Sequence, residues 1–208
     1  MSAANRASQR PAWYLATALA SFLLAGEHPL TAQAQASPHT ISAKVAEPVL
    51  PELMGGCSMK CSFSWNVGVV NAKGTQPAKA LNDERAETAW ISEGPGSGVG
   101  AKLRLAFPKK IPAEMEGEVP FYGLDLINGH WKTEELWRQY ARVKKARLLY
   151  NGRPLCDVTF ADSRRWQRVS FPDIMVRSGD VLTFEVLEVY PGEKGGVAIS
   201  EIVLQGAH

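Results

Sequence analysis

Histidine is scarce in this 208-residue chain, which contains four histidines in all. His28 and His39 lie near the N-terminus and His208 is the last residue, so His130 alone stands within the strand-rich part of the sequence. A Ser–His–Asp or Cys–His arrangement would have to use His130, and no Gly-x-Ser-x-Gly motif accompanies it. Adjacent Glu134 and Glu135 are typical of a solvated charge pair. We therefore predict that the protein is not an enzyme, and a hydrolase ranks last among the alternatives.

Excess charge and long apolar runs are also missing. The formal net charge is +2, whereas a nucleic-acid-binding domain normally carries a strong basic excess, so no nucleic-acid partner is expected. The apolar run at 13–26 is shorter than the about 20 residues that span a bilayer. It follows Arg6 and Arg10 and precedes Ala34-Gln35-Ala36, a pattern that predicts a signal peptide over 1–36. We expect a secreted or periplasmic protein with no membrane span after cleavage; a retained membrane anchor is the alternative.

Cysteine is limited to three residues, Cys57, Cys61 and Cys156. Export favours disulfides, and Cys57 and Cys61 are near enough in sequence to meet across a tight turn. Their spacing has no second pair and no histidine cluster beside it, which argues against zinc. Cys156 stands in a strand-like run, where we expect a buried thiol.

The remaining sequence predicts an all-β domain over 56–206, after a flexible linker at 37–55 that is rich in Pro, Ala and Ser. Short runs of strand-like residues alternate with Asn-Gly, Ser-Gly-Asp and Pro-Gly turn signals, which is typical of an antiparallel β-sandwich or jelly roll. The runs lie at 63–70, 103–107, 119–127, 146–150, 155–160, 167–171, 181–189 and 198–204. One or two short helical turns are expected, within 78–90 and 137–145.

Aromatic and basic residues concentrate between the two strand-like runs that bracket 128–145. Trp131, Trp137 and Tyr190 offer flat apolar faces on which a sugar ring can stack, and neighbouring basic side chains offer donors to its hydroxyls. A tryptophan in a β domain is otherwise most often in the core, where we place Trp65, Trp90 and Trp166. The basic cluster Arg142–Lys145 is either part of this surface or a solvated edge that discourages aggregation.

The segment from Asn82 to Trp90 ends in Thr88-Ala89-Trp90 and resembles the Asp-Gly-Asp/Asn-x-x-Thr-Ala-Trp segment of discoidin-type (F5/8 type C) domains. Further motifs narrow the resemblance to the NADase-type glycan-binding or translocation module, over roughly 57–206. They are Cys57–Cys61, Gly98–Gly100, Asn128–Lys132, Trp137, Arg142–Lys144 and the 198–202 strand. The resemblance implies a galactose-binding-like jelly roll without NADase activity.

The same resemblance implies a calcium site formed by Asp83, Thr88 and Glu201, with backbone carbonyls completing the oxygen shell. The sequence departs from the family at Glu84, where a glycine is usual, and at Arg85. The alternative is that Asp83 and Thr88 are turn and cap residues.

Together these features predict an exported, non-catalytic binding module that recognises a glycan. The expected ligand-binding residues are His130, Trp131, Lys132, Trp137 and Tyr190. The alternative is the same fold serving as an adaptor for a cell-surface or envelope protein, without affinity for sugar.

Overall fold

The structure of the chain is a computed structural model that describes residues 38–45, 78–92, 96–107 and 118–206. These residues belong to one compact unit, Ser37–His208. No helix in these four segments is long and apolar enough to cross a membrane. The predicted signal peptide, the Cys57–Cys61 disulfide, the 63–70 strand and Trp65 all lie outside the described residues.

The described residues form two five-stranded sheets, which confirms the predicted β-sandwich. The first sheet has the order β1-β7-β6-β9-β4 and the second has the order β2-β8-β5-β10-β3. Every pairing is antiparallel except that of β1 with β7. The strands are β1 (Thr40–Ser42), β2 (Lys44–Val45), β3 (Trp90–Ile91), β4 (Lys102–Ala106), β5 (Glu118–Asn128), β6 (Arg142–Tyr150), β7 (Arg153–Thr159), β8 (Trp166–Arg177), β9 (Val181–Tyr190) and β10 (Ala198–Gly206).

The core fills the space between the inner faces of the sheets, because alternate residues of each strand point there. On β9, Leu182, Phe184 and Val186 are fully buried while the residues between them are half-buried. Leu124 and Leu126 of β5 belong to the same apolar cluster. Burying one such side chain contributes roughly 1.5–3 kcal/mol, so this alternation is what holds the two sheets together.

The first described residues correct the prediction of a flexible linker over 37–55. Thr40–Ser42 pairs with the edge strand β7, and Lys44–Val45 then pairs with β8 of the other sheet. The Ala43 N–H, between the two strands, donates to the Thr159 carbonyl at 2.8 Å. The sandwich therefore begins before residue 56, and the linker prediction is wrong for residues 40–45.

The helical elements are short, as expected, but one is displaced. A 3-10 turn covers Ala78–Leu81, and helix α1 covers Glu134–Gln139 rather than residues within 137–145. Thr133 caps α1, because its hydroxyl accepts the Leu136 N–H at 3.1 Å. Strand β6 begins at Arg142, so the second half of the predicted helix is extended.

The predicted core tryptophans have different outcomes. Trp90 is 1% exposed and lies in the main apolar cluster, which confirms its assignment. Trp166, the first residue of β8, is only half-buried, so its assignment to the core is wrong in part. Cys156 is fully buried, and burial followed by the nearby Asp157 charge raises the pKa of its thiol to about 11. The prediction of a buried thiol is confirmed.

The outer face of the first sheet carries a row of charges that satisfy one another. Asp157 of β7 binds Arg147 of β6 through two hydrogen bonds of 2.7 and 3.1 Å. Arg147 stands opposite Glu185, which pairs with Lys102 at 3.1 Å. Lys144 and Lys145 pair with Glu188 and Asp157. The basic cluster that the sequence displays is therefore neutralised on the sheet.

Candidate functional site

One end of the sandwich gathers four connections that we call the loop end. They are residues 96–101 before β4, 129–141 between β5 and β6, 160–165 between β7 and β8, and 191–197 between β9 and β10. Backbone hydrogen bonds join them directly: Gly196 N–H donates to the Gly96 carbonyl at 2.8 Å, and Lys194 N–H donates to the Gln139 carbonyl at 2.6 Å. The loop end contains four of the five predicted ligand-binding residues, and the fifth, Tyr190, is the last residue of β9 next to it.

Trp137 on helix α1 is held by its side chain. Its indole N–H donates to the Asn128 carbonyl at 3.0 Å, at the end of β5. The indole lies so close to the next backbone unit that a Cβ on Gly129 would come within 2.5 Å of Trp137 Cδ1. Gly129 also has φ +85°, a conformation that favours glycine. The Asn128-Gly129 pair therefore serves to receive the indole of Trp137.

Arg142 fixes the same indole from the other side. Its guanidinium carbon lies 4.5 Å from the centre of the Trp137 ring, and two of its nitrogens bind the Asp162 carboxylate at 3.0 and 2.8 Å. A third nitrogen donates to the carbonyls of Tyr140 and Pro191. Because Arg142 is 7% exposed, it acts as a buried connector between three loops. Arg142 is therefore structural, like the rest of the basic cluster.

Trp131, unlike Trp137, forms its hydrogen bonds through its backbone. Its N–H donates to Ser200 Oγ at 3.0 Å, and its carbonyl accepts from Arg164 at 2.6 Å. Its own indole nitrogen is buried and has no hydrogen-bond partner among the described residues. The ring is half-buried, with the Arg164 guanidinium carbon 5.6 Å from its centre. An unmade hydrogen bond at a buried donor costs about 1–3 kcal/mol, so this unpartnered N–H lowers the stability of the folded state.

His130 immediately precedes Trp131 in the sequence. Its ring stacks on Tyr140 with 5.9 Å between ring centres, and its buried Nδ1 has no hydrogen-bond partner. Burial, then the charge of Lys132, lowers the pKa of His130 below its ordinary 6.5. The imidazole is therefore neutral at pH 7 and presents no fixed charge to a ligand.

The structure separates the other predicted contacts. Lys132 is exposed beside Trp131. Tyr190 is half-buried, and its hydroxyl donates to the Phe160 carbonyl at 3.0 Å, so its polar group supports a neighbouring loop. Arg164, which lies over the ring of Trp131, was not predicted because it reaches the site from the β7–β8 connection, 33 residues away.

The expected calcium ligands form a turn. The Thr88 hydroxyl lies 2.9 and 2.8 Å from the two carboxylate oxygens of Asp83, which also accepts the Arg85 N–H at 3.0 Å. Glu84 has φ +63°, in the region favoured by the glycine that the family carries there. Glu201 lies buried on β10. No group of three or more His, Cys, Asp or Glu side chains within the described segments is arranged to hold a metal. Asp83 and Thr88 alone fall short of the about six to eight oxygens calcium takes, so the site stays a prediction.

No catalytic arrangement accompanies these residues. On exposed helix α1, Glu134 pairs with Arg138, and Glu135 accepts from Gln139 at 3.0 Å. No carboxylate in the described part of the chain hydrogen-bonds to His130. A general acid or base needs such an orienting partner or a facing carboxylate.

The opposite end of the sandwich holds a second polar cluster centred on Asp180. Its carboxylate accepts hydrogen bonds from the Tyr150 hydroxyl, the Asn151 amide at 2.8 Å and the Arg177 N–H at 2.7 Å. Burial raises the pKa of Asp180, but these three bonds outweigh it and the net pKa is lowered. Burial, then the bond to Asp180, raises the pKa of Tyr150 to about 12. All partners belong to two adjoining turns, so this cluster is structural.

The two-sheet sandwich, with its connections gathered at the loop end, defines a discoidin-like module. Residues 63–205 match the family model of the NAD glycohydrolase translocation F5/8 type C domain. The chain belongs to this family, which confirms the resemblance and the fold that the sequence predicted. The matching domains are binding or translocation modules rather than catalytic domains.

Similar solved structures agree on the fold. The CBM32-1 and CBM32-2 domains of Clostridium perfringens ZmpB in complex with GalNAc match with a TM-score of 0.54 and 9% identity, over 83% of this chain and 41% of that chain. CBM32-3 from a family 31 glycoside hydrolase of Clostridium perfringens matches with a TM-score of 0.50 and 11% identity, over 67% and 90%. This chain thus spans less than half of the ZmpB two-domain chain.

The NMR structure of the Streptococcus pyogenes NAD+-glycohydrolase translocation domain is 25% identical, over 54% of this chain and 92% of that chain, with a TM-score of 0.34. No curated protein matches the sequence.

Proposed function

We propose that this module binds a glycan at the loop end, with Trp131 as the stacking platform and Lys132 as a donor to sugar hydroxyls. The observation that carries the proposal is how Trp131 is held. Two backbone hydrogen bonds fix residue 131, while the indole N–H has no partner. The indole N–H thus contributes no hydrogen bond to the described fold, unlike that of Trp137, and contact of the ring with a ligand explains why a tryptophan stands at this position.

Trp137 and Tyr190 have a supporting role in this proposal. Each donates its polar hydrogen to a backbone carbonyl, and Trp137 is also covered by Arg142. They hold the 129–141 loop and its neighbour in place, so that Trp131 presents a fixed face. A fold shared with carbohydrate-binding modules, one of which was solved with GalNAc, supports a sugar as the ligand. The export of the protein to the envelope or medium, where such glycans occur, belongs to the same proposal.

A glycan array with the purified protein tests the proposal. We expect a confined set of glycans to bind, and Trp131→Ala to abolish that binding while the thermal unfolding midpoint changes little. Tyr122→Ala is the matched control, because it removes a half-buried aromatic side chain at the opposite end, where Tyr122 contacts Gly206. An empty array, together with an unaltered Trp131→Ala protein in every binding assay, would refute the proposal.

A second candidate is protein docking on the same loop end, as in the adaptor alternative. The translocation role in the family's description favours it. This candidate predicts an empty glycan array.

A further inference from the structure

The cations beside Trp131 have no acidic partner among the described residues. Lys132 and Arg164 are exposed and form no ion pair with any described residue, and the same holds for Arg165. By contrast, each of the following residues pairs with a carboxylate: Lys102, Arg138, Arg142, Lys144, Lys145, Arg147, Arg168 and Arg177. The positive charge near Trp131 is therefore available to a ligand.

The acidic groups close to this part of the loop end are already engaged. Asp162 binds Arg142 through both oxygens, and Glu134 pairs with Arg138. Glu135 accepts from Gln139. Glu193 lies on a different loop, next to Lys194. The surface around Trp131 consequently keeps an excess of positive charge, although the whole chain is close to neutral.

Arg164 combines this charge with the aromatic platform. One of its N–H groups donates to the Trp131 carbonyl, which sets the guanidinium over the ring. A guanidinium has five donors, and the other four of Arg164 have no partner within the described segments. A carboxylate binds such a fork through two parallel hydrogen bonds, and a sugar ring packs on an adjacent aromatic face.

We infer that the glycan bound at the loop end is acidic: a saccharide with a carboxylate on its ring, as in uronic and sialic acids. Its carboxylate pairs with Arg164, assisted by Lys132, while the ring packs against Trp131. This inference rests on the proposed function and adds the charge of the ligand to it.

Matched pairs of acidic and neutral saccharides test the inference by calorimetric titration. The pairs are tetragalacturonate with its methyl ester, and sialyllactose with lactose. We expect the acidic member of at least one pair to bind about tenfold more tightly, since a hydrogen bond to a charged group contributes enough for that ratio. We also expect added salt to weaken the acidic member alone, because screening acts on charge.

Arg164→Gln is the decisive variant, and Arg153→Gln is its control. Arg153 is an exposed cation without an ion pair in the described part, at the opposite end of the sandwich. Arg164→Gln is expected to bring the acidic-to-neutral ratio close to one, because it removes the charge that distinguishes the two members of a pair, whereas Arg153→Gln keeps the ratio. A neutral member that binds as well as its acidic twin, or a ratio that survives Arg164→Gln, overturns the inference and leaves the proposed function standing. Absence of binding to both members of every pair overturns both.

Discussion

Replacing each loop-end tryptophan by phenylalanine tests which of the two, Trp131 or Trp137, stabilises the fold through its indole N–H. Trp137→Phe removes the hydrogen bond to the Asn128 carbonyl and leaves that carbonyl, on a residue 1% exposed, without its donor. The unmade bond costs about 1–3 kcal/mol. The smaller ring also weakens the contact with Arg142, which adds about 0.5 kcal/mol. The expected loss of unfolding free energy is therefore about 2–3 kcal/mol.

Trp131→Phe is the internal comparison, because it makes the same chemical change six positions earlier, at a tryptophan whose indole N–H has no hydrogen-bond partner among the described residues. It deletes an indole N–H that has no partner, so no hydrogen bond is lost. The backbone bonds to Ser200 and Arg164 do not depend on the ring. We expect no loss of unfolding free energy, because removing an unpartnered buried donor removes its cost of about 1–3 kcal/mol, and the smaller apolar area of phenylalanine offsets part of that gain.

Urea unfolding followed by circular dichroism measures both variants. Equal slopes with a lower midpoint for Trp137→Phe alone would support the division of roles. In thermal scans the same loss corresponds to roughly 4–10 °C for a domain of this size. If the two variants lose the same unfolding free energy, the hydrogen bond of the Trp137 indole does not stabilise the fold more than the unpartnered Trp131 indole does. The reason for choosing Trp131 as the stacking platform is then refuted.

Three further predictions concern backbone, pH and calcium. Gly129→Ala should destabilise the protein more than Gly100→Ala in the same urea assay, because both have φ +85° but only Gly129 has neighbours within 4 Å of a new Cβ; equal effects would contradict the packing at Gly129. The lowered pKa of Asp180 means that its contribution to stability is present above the unfolded pKa and is lost as pH falls through the folded pKa, so Asp180→Asn should flatten the acid limb of a stability–pH curve. The pKa of Tyr150 is raised to about 12, so its contribution to stability is present below the unfolded pKa of about 10 and is lost as pH rises from there to about 12. Because Thr88 and Arg85 already hold Asp83, we expect millimolar calcium and a chelator to give the same unfolding midpoint; a calcium-dependent rise that Asp83→Asn removes would establish the metal site.

The strands were largely predictable, because burial on one face leaves a period of two in the sequence. The positions of β4, β5 and β9 follow directly from their alternating residues. β6 was predicted to begin at Ala146 and in fact begins at Arg142, because a bulge between Val143 and Lys145 breaks the alternation. The pairing of residues 40–45 left no local signal, since it depends on contacts with β7 and β8 more than 100 positions away.

The candidate site was predictable in place but not in detail. The sequence located the 130–137 segment, since aromatic and basic residues there interrupt the strand pattern. The two tryptophans cannot be distinguished from the sequence, because they differ in partners that come from other strands. Trp137 contacts Asn128 and Arg142, whereas the backbone of Trp131 contacts Ser200. Hydrogen bonds of this kind connect distant positions and leave no periodicity.

The contrast between the two tryptophans explains how an irregular surface is kept rigid at the loop end. The polar groups of Trp137 and Arg142 donate hydrogen bonds to backbone carbonyls and to the Asp162 carboxylate, and these bonds hold three loops together. The backbone N–H of Trp131 donates to Ser200 of β10, so this residue is held in place without a hydrogen bond from its own indole. A pre-organised aromatic face loses little entropy when a ligand binds. Substitutions at position 131 should therefore change which ligands bind, whereas substitutions at 137 should change whether the loop end forms.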